Sequence, residues 1–460
     1  MPLSARILPA ALAFALALSL TPTAPLFSAY AHAEETASTE TAENPTALAS
    51  SGDETASPCL PSESELQAYA EDGTLDQRLA YQESLGNEEY DAGLIESARS
   101  REAAATSGAS AYSQTVPGNW ESGMGSVGEA HVLALHVTFP DDEGESAAQF
   151  PEGDDVEALQ SLIGPVTEGF ESTASGYTGN EGYYPYESLH EYYYRSSYGK
   201  LSVDGVALEY EALHPASHYD NGLEELYIEA LAQLDDELDY SKFDGNGDGR
   251  IDALYVHFAC ENPQWGTAWW SNEQTCKSEG AAVLRDGVRL WNAVSLHNAS
   301  NTEYGVRTAI HETGHVLGLP DLYSYLDQSS TRTGVLTFDM MNTNCGDHNG
   351  FSKWMLGWID SDDITRIVAN DDGVTVKDGN ADPVSYASDA VARAELSTYA
   401  GDDCGGIVAV SNSEELITGD GLFSSYYLVQ YDDYVNNQSV SADTAQGRIE
   451  LPAGFRVFRV

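Results

Sequence analysis

In the run Ala309-Ile310-His311-Glu312-Thr313-Gly314-His315-Val316-Leu317-Gly318-Leu319-Pro320-Asp321, two histidines stand four residues apart with a glutamate after the first. On a helix, residues four apart share a face, so His311 and His315 can aim their imidazoles at one ion. Neutral imidazole is a good zinc ligand. Glu312 is rotated away from the ligand direction but stays beside the ion, where it can take a proton from water and later pass it to a leaving amine. Gly318 lets the backbone turn sharply after the helix, and the returning chain can offer Asp321 as a third ligand. A fourth position left to water is the open arrangement of a catalytic zinc site. The bare HExxH pattern arises by chance in about one chain in fifty of this composition, and adding Gly318 and Asp321 makes it roughly one in several thousand. Core packing accounts for Ile310, Val316, Leu317 and Leu319, but not for the glutamate or the Gly-x-x-Asp extension.

The third ligand follows from what the sequence offers. One arrangement of this kind takes a glutamate well downstream of the second histidine, but no Glu occurs between Glu312 and Glu395. The other takes a residue six positions after that histidine, where Asp321 stands, with His348 as the runner-up. Asp339-Met340-Met341-Asn342 follows at the distance where a methionine turn lies beneath the metal, which makes Met341 the expected floor of the site. Tyr323 is a candidate for holding the oxyanion.

A second constellation is Asp244-Gly245-Asn246-Gly247-Asp248-Gly249-Arg250-Ile251-Asp252. Oxygen side chains at alternate positions with glycines between them curl around a hard cation. Asp244, Asn246, Asp248, Asp252 and the carbonyl of Arg250 are the expected calcium ligands. Position twelve is Tyr255 rather than Glu, and a strand pattern follows, so the reading is a calcium loop between helix and strand and not an EF-hand.

The elements that must position these groups are legible in outline. Ser62 to Arg101 reads as helical, with Leu75, Leu79 and Leu85 near one face and Gly86 as a stop. A low-complexity stretch follows, from Glu102 to about Gly118. His131 to Phe139 reads as a strand, and Val156, Leu159, Leu162 and Ile163 as a helix. The tyrosine-rich stretch from Tyr183 to Tyr198 suits core packing better than a cleft lining. Leu223, Leu226, Tyr227, Ala230, Leu231 and Leu234 form an amphipathic helix with Asn221 as its expected cap. Beyond Asp360, short apolar runs such as Ile407 to Val410 and Tyr426 to Tyr431 alternate with turn residues, a β-rich texture. Phe455 to Val460 resembles a strand cut off without a closing element, so the chain is expected to stop inside that module.

Composition narrows the partners. The 74 acidic residues against 20 basic ones give a formal net charge of −54, a field that repels nucleic acid and anionic membranes. Arg6, the apolar run Ile7 to Leu20 and the small-x-small Ala31-His32-Ala33 form a secretory signal pattern, which makes the protein secreted and extracellular. No later segment is long and apolar enough to cross a bilayer. Residues 34–58 are a polar spacer that cannot bury enough surface to fold. Five cysteines suit an export compartment; Cys260 with Cys276 and Cys345 with Cys404 are conceivable pairs that leave Cys59 over, though connectivity cannot be deduced.

Residues His311 to Tyr323 resemble the immune inhibitor A family of bacterial metallopeptidases. The resemblance continues through Asp339 to Met341, Phe351 to Trp358, Tyr192 to Lys200 and the Asp244 loop, and spans roughly residues 118–360. Gly346-Asp347-His348-Asn349 departs from the family pattern. The resemblance implies a secreted, zinc-dependent, calcium-stabilised endopeptidase made as a proenzyme, with His311, His315 and Asp321 as ligands and Glu312 as the catalytic glutamate. The expected architecture is α+β: a signal over 1–33, a spacer over 34–58, a helical pro-segment over 59–117, a zincin-like catalytic domain over 118–360 and a β-rich module over 361–460. The expected substrates are proteins or peptides. Rival readings are a metal hydrolase of a non-peptide bond and a catalytically idle surface binding module, against which the intact Glu312 argues. Steric blocking of the cleft by the pro-segment is expected to hold the enzyme latent, ahead of a switch in which the Cys59 thiolate fills the open zinc position.

Overall fold

The computed structural model describes residues 61–460 except 62, 108–119, 141–155, 169, 171–180, 259–263, 298–302, 327–334, 336–338, 395, 397–403, 405, 419–420, 433–436, 438–440, 445–446 and 451–452. The expected signal, the spacer, Cys59 and Cys260 lie outside the described residues.

Three helices open the chain: α1 (Glu63–Asp72), α2 (Leu75–Leu85) and α3 (Ala92–Ser107). Gly86 ends α2 in the left-handed conformation at φ 89°, as its position after the leucine pattern predicts. The first residues of the low-complexity run from Glu102 are helical, since α3 continues to Ser107; the remainder of that run lies outside the described residues. Tertiary contacts outweigh the weak local signal there: Leu94 and Ala98 are fully buried and Glu102 pairs with Arg366.

The first sheet is built from β1 (Gly128–Thr138), β2 (Leu201–Glu211), β3 (Ala253–Phe258), β4 (Asn272–Thr275) and β5 (Asn292–His297). Its order is β2-β1-β3-β5-β4, parallel throughout except for β4, which runs antiparallel to β5 at the edge. β3 is buried on both faces, as a central parallel strand should be. The helices α4 (Val156–Ile163), α5 (Leu189–Ser196), α6 (Glu224–Gln233) and α7 (Glu303–Val316) follow. The apolar spacing of α4 and α6 predicts both helices. Asn221 does not cap α6, however; the helix starts after Leu223, with no side-chain cap. The tyrosine-rich stretch is chiefly core, since Tyr186, Tyr192, Tyr193 and Tyr198 are buried.

The short helices α8 (Met340–Thr343) and α9 (Gly350–Met355) lead into the second sheet. Its strands are β6 (Ile364–Asn370), β7 (Gly373–Asp378), β8 (Val384–Tyr386), β9 (Ile407–Ser411) and β10 (Tyr427–Asp432); the helix α10 (Glu415–Thr418) lies between the last two. The hairpin β11 (Ser441–Thr444) and β12 (Gly447–Glu450) precedes β13 (Gly454–Arg459), and the second sheet is ordered β13-β10-β9-β6-β7-β8. The chain is therefore mixed α+β with two mixed sheets. The terminal apolar run is indeed a strand, paired antiparallel with β10. Among the described residues no helix is long and apolar enough to cross a membrane. Cys345 is a buried free thiol, so the Cys345–Cys404 pairing does not occur; Cys345 is enclosed beside Tyr186 and Arg307 instead.

Candidate metal centre

The α7 helix lies against β4 and β5, and every residue from Val306 to Val316 is buried. Tyr193 Oη donates to the Ile310 carbonyl at 2.6 Å, and Tyr255 and Thr313 join their hydroxyls at 2.6 Å, so the helix is pinned from two sides. After Val316 the chain turns through Gly318 at φ +91°. Leu319 N donates to the Gly314 carbonyl at 2.9 Å, and the chain returns to place Asp321 beside the histidines.

His311, His315 and Asp321 converge as the sequence predicts. His311 Nε2 lies 3.0 Å from Asp321 Oδ1, His315 Nε2 lies 3.3 Å from the same oxygen, and the two Nε2 atoms are 3.2 Å apart. Among the described residues this is the one group of three histidine, cysteine or carboxylate side chains gathered closely enough to hold an ion.

Their tautomers follow from the atoms behind them. His311 Nδ1 faces the Met340 carbonyl at 3.0 Å and His315 Nδ1 faces the Leu319 carbonyl at 2.8 Å. A carbonyl only accepts, so both Nδ1 atoms carry the hydrogen and both Nε2 atoms turn lone pairs inward. With both imidazoles neutral, two lone pairs and a carboxylate oxygen face one another with no proton between them, a conflict that either a proton on an imidazole or a bound cation relieves. Their separations are close to the edge of about 3.3 Å of a tetrahedron with bonds of about 2.0 Å. Burial acts to raise the Asp321 pKa, but the two histidines outweigh it and hold the carboxyl well below the usual carboxylate range. Burial likewise acts to lower His315, and Asp321 outweighs it and raises that pKa.

Glu312 is nearly inaccessible, at 3 % exposure. Its Oε2 accepts a hydrogen bond from Glu273 N on the edge strand β4 at 2.9 Å. Burial first, then Asp321 among the neighbouring charges, pushes its carboxyl up to about 8. A cation at the triad would act in the opposite direction. Met341 is buried, with its sulfur only 2.3 Å from where a Cβ on Gly314 would stand, so the methionine side chain packs directly against the bare Gly314 of the histidine helix. Asp339 fixes this turn, its Oδ1 accepting from Met341 N at 2.8 Å and its Oδ2 from Asn349 N at 2.7 Å. Tyr323 packs its ring 6.3 Å from that of His311. His348, the runner-up ligand, is not in the group. It is buried among Tyr192, Tyr193 and Trp358, and its ring nitrogens have no hydrogen-bond partner.

Two contacts have no counterpart in the sequence reading. Glu273 is one, because nothing local marks a backbone N–H 39 residues away as the support of Glu312. Tyr325 is the other: its hydroxyl donates to Asp321 Oδ2 at 2.8 Å. The only available signal was its position four residues beyond Asp321. If the triad holds a metal ion, Tyr325→Phe is expected to weaken its binding about 10- to 100-fold, because the carboxylate loses the partner that orients it. Chelator competition on the purified variant measures this, and an unchanged affinity would dismiss the contact as incidental.

The Asp244 loop follows the 3-10 turn Tyr240–Phe243 and runs into β3. Asp244 Oδ1 accepts from Asp248 N at 2.9 Å and its Oδ2 from Gly249 N at 3.0 Å, while Asp248 Oδ1 accepts from Arg250 N at 2.9 Å. Asn246 Oδ1 accepts from Asp248 N at 3.0 Å. Asp252 is fully buried and its Oδ2 accepts from His131 N at 2.7 Å and Gly245 N at 3.0 Å, while its Oδ1 has no partner. Burial pushes the Asp252 carboxyl up to about 8.

No model of a known protein family matches the chain, and no curated protein matches it.

Proposed function

We propose that the chain is a secreted zinc endopeptidase with a zincin-like catalytic domain, made latent by its N-terminal helices. The observation that carries this reading is the convergence of His311 Nε2, His315 Nε2 and Asp321 Oδ1 within 3.3 Å, with Glu312 next on the same helix. The donor set suits zinc, with two imidazole nitrogens, one carboxylate oxygen and both imidazoles backed by carbonyls. Zinc bound there supplies a Lewis acid for the scissile carbonyl and makes nearby water more acidic. Glu312 does the proton work. Its Oε2 is committed to Glu273 N, which leaves Oε1 to take the proton of the attacking water and return it to the leaving amine. The antiparallel edge strand β4 suits main-chain pairing with an extended peptide. Resemblance to the immune inhibitor A family supports the same assignment. Incubating the purified protein with casein, with and without a chelator, tests it; hydrolysis that survives complete zinc removal would overturn it.

The same proposal assigns calcium to Asp244, Asn246, Asp248, the Arg250 carbonyl and Asp252. Its support is the alternate oxygen spacing together with the buried, unpartnered Oδ1 of Asp252; the Asp244, Asp248 and Asp252 carboxylates are not drawn together as the His311 group is, so calcium would have to gather them. Calcium removal is expected to lower Tm by roughly 5–10 °C, since a ligand at a hundred times its Kd adds about 2.7 kcal/mol to the native state. Autolysis should rise with it. Scanning calorimetry of protein first shown to be calcium-free decides the matter, and a Tm indifferent to added calcium would remove the site.

A further inference from the structure

Residues 59–117 read as one pro-segment in sequence, yet the described helices within it make two different kinds of contact. The α1 and α2 helices cover the site. Tyr69, Leu66, Leu75 and Leu79 pack on an aromatic wall of Trp265, Trp270, Tyr323 and Tyr325. Just after α2, the Asn87 carbonyl accepts from Asp321 N at 2.7 Å, and Asn87 Nδ2 donates to the Glu273 carbonyl at 3.2 Å. Asn87 thus occupies main-chain groups of the third ligand and of the residue that supports Glu312. Arg78 Nη1 donates to the Trp265 carbonyl at 2.7 Å. When α1 and α2 leave, that guanidinium leaves with them, and the groups left behind, which are main-chain groups of Trp265, Glu273 and Asp321 and the side-chain amides of Gln264 and Asn272, are neutral ones that water or substrate can satisfy.

The α3 helix is bound differently. Leu94 and Ala98 are fully buried in the same core as Ile310, Val316 and Leu317 of the histidine helix. Asp91 N donates to the Gly318 carbonyl at 3.0 Å, and a Cβ on Gly318 would stand 2.7 Å from Asp91 Cβ, so the start of α3 braces the turn that brings Asp321 round. At the other end Arg101 donates to the carbonyls of Trp354 and Met355. Glu102 takes Arg366 Nη2 at 2.8 and 3.0 Å and the Ser361 hydroxyl at 2.6 Å. Arg366 lies on β6 at 1 % exposure, and its Nε and Nη1 have no hydrogen-bond partner. Removing α3 would strip this buried guanidinium of its carboxylate, and an uncompensated buried charge is strongly destabilising.

We infer that α3 is a permanent part of the working protein, and that only α1 and α2, up to the exposed turn at Glu88 and Glu89, form the removable cover. This rests on the protease reading for what the cover does, but not for which helix stays. The test uses two full-length chains carrying a site for a sequence-specific protease, one between Glu88 and Glu89 and one at residue 112. Intact mass after gel filtration, Tm and casein hydrolysis are read after cutting. Cutting at the turn should release the fragment that ends at Glu88, leave Tm nearly unchanged and raise hydrolysis severalfold. Cutting at 112 should leave the longer fragment bound and hydrolysis as low as in the uncut chain. Release of the longer fragment from a core that stays folded and active would overturn the inference. Release at the turn without any hydrolysis would support the inference on α3 while defeating the protease reading. Glu102→Gln in the uncut chain should lower Tm by roughly 10 °C, and an unmoved Tm would count against the clasp.

Discussion

Glu312→Gln is expected to keep zinc and the fold while losing casein hydrolysis by about a thousandfold. The substitution is close to isosteric. The amide oxygen can still accept from Glu273 N, the bond that fixes the side chain now at 2.9 Å. His311, His315, Asp321 and the carbonyls behind the imidazoles are untouched, so metal content should match that of the parent. What disappears is basicity, because a neutral amide cannot take the proton of water or hand one to the leaving amine. Metal content and turnover are measured on the same preparation, so that a loss of zinc is not mistaken for a loss of chemistry. Near-native turnover in a zinc-loaded variant would sink the assignment of Glu312 as the base.

The other large effect is expected at Asp321. Asp321→Ala should weaken zinc binding by more than about a hundredfold, beyond what loss of a supporting hydrogen bond alone would cost, with activity falling alongside. Asp321 Oδ1 stands within 3.3 Å of both Nε2 atoms, and no other carboxylate joins them among the described residues. His348→Ala is the matched control. Its ring is buried among Tyr192, Tyr193 and Trp358, so removing it should lower stability by about 2–4 kcal/mol through the cavity left behind, yet spare zinc. Equilibrium dialysis against a zinc buffer compares the two. Zinc retained in the Asp321 variant and lost in the His348 variant would transfer the ligand role to His348.

What could be read from the sequence was local. The i, i+4 spacing of His311 and His315 fixes a common face on any helix, and Gly318 with Asp321 three residues on fixes a return within one turn, so the convergence of the three side chains needed no knowledge of the fold. The helix α4, the body of α6 and the strand β1 were legible for the same reason, since their apolar periods are properties of a few consecutive residues. Even there the ends escaped, as the cap of α6 shows: Asn221 has the chemistry of a cap, but the helix begins only after Leu223.

Whatever depends on partners far along the chain was decided by tertiary structure alone. Crossing from β5 to the antiparallel edge strand β4 brings Glu273 N to Glu312, a pairing set by sheet order and invisible in the composition of either segment. A run of Glu, Ala and Ser from Glu102 reads as a low-complexity stretch. Its first residues are helical nonetheless, because Leu94 and Ala98 bury the preceding turns and Arg366, 264 residues on, holds Glu102. Local sequence sets which conformations a segment can adopt. Burial and charge pairing supplied by distant residues select among them, and that selection seats Leu94 and Ala98 of α3 in the core.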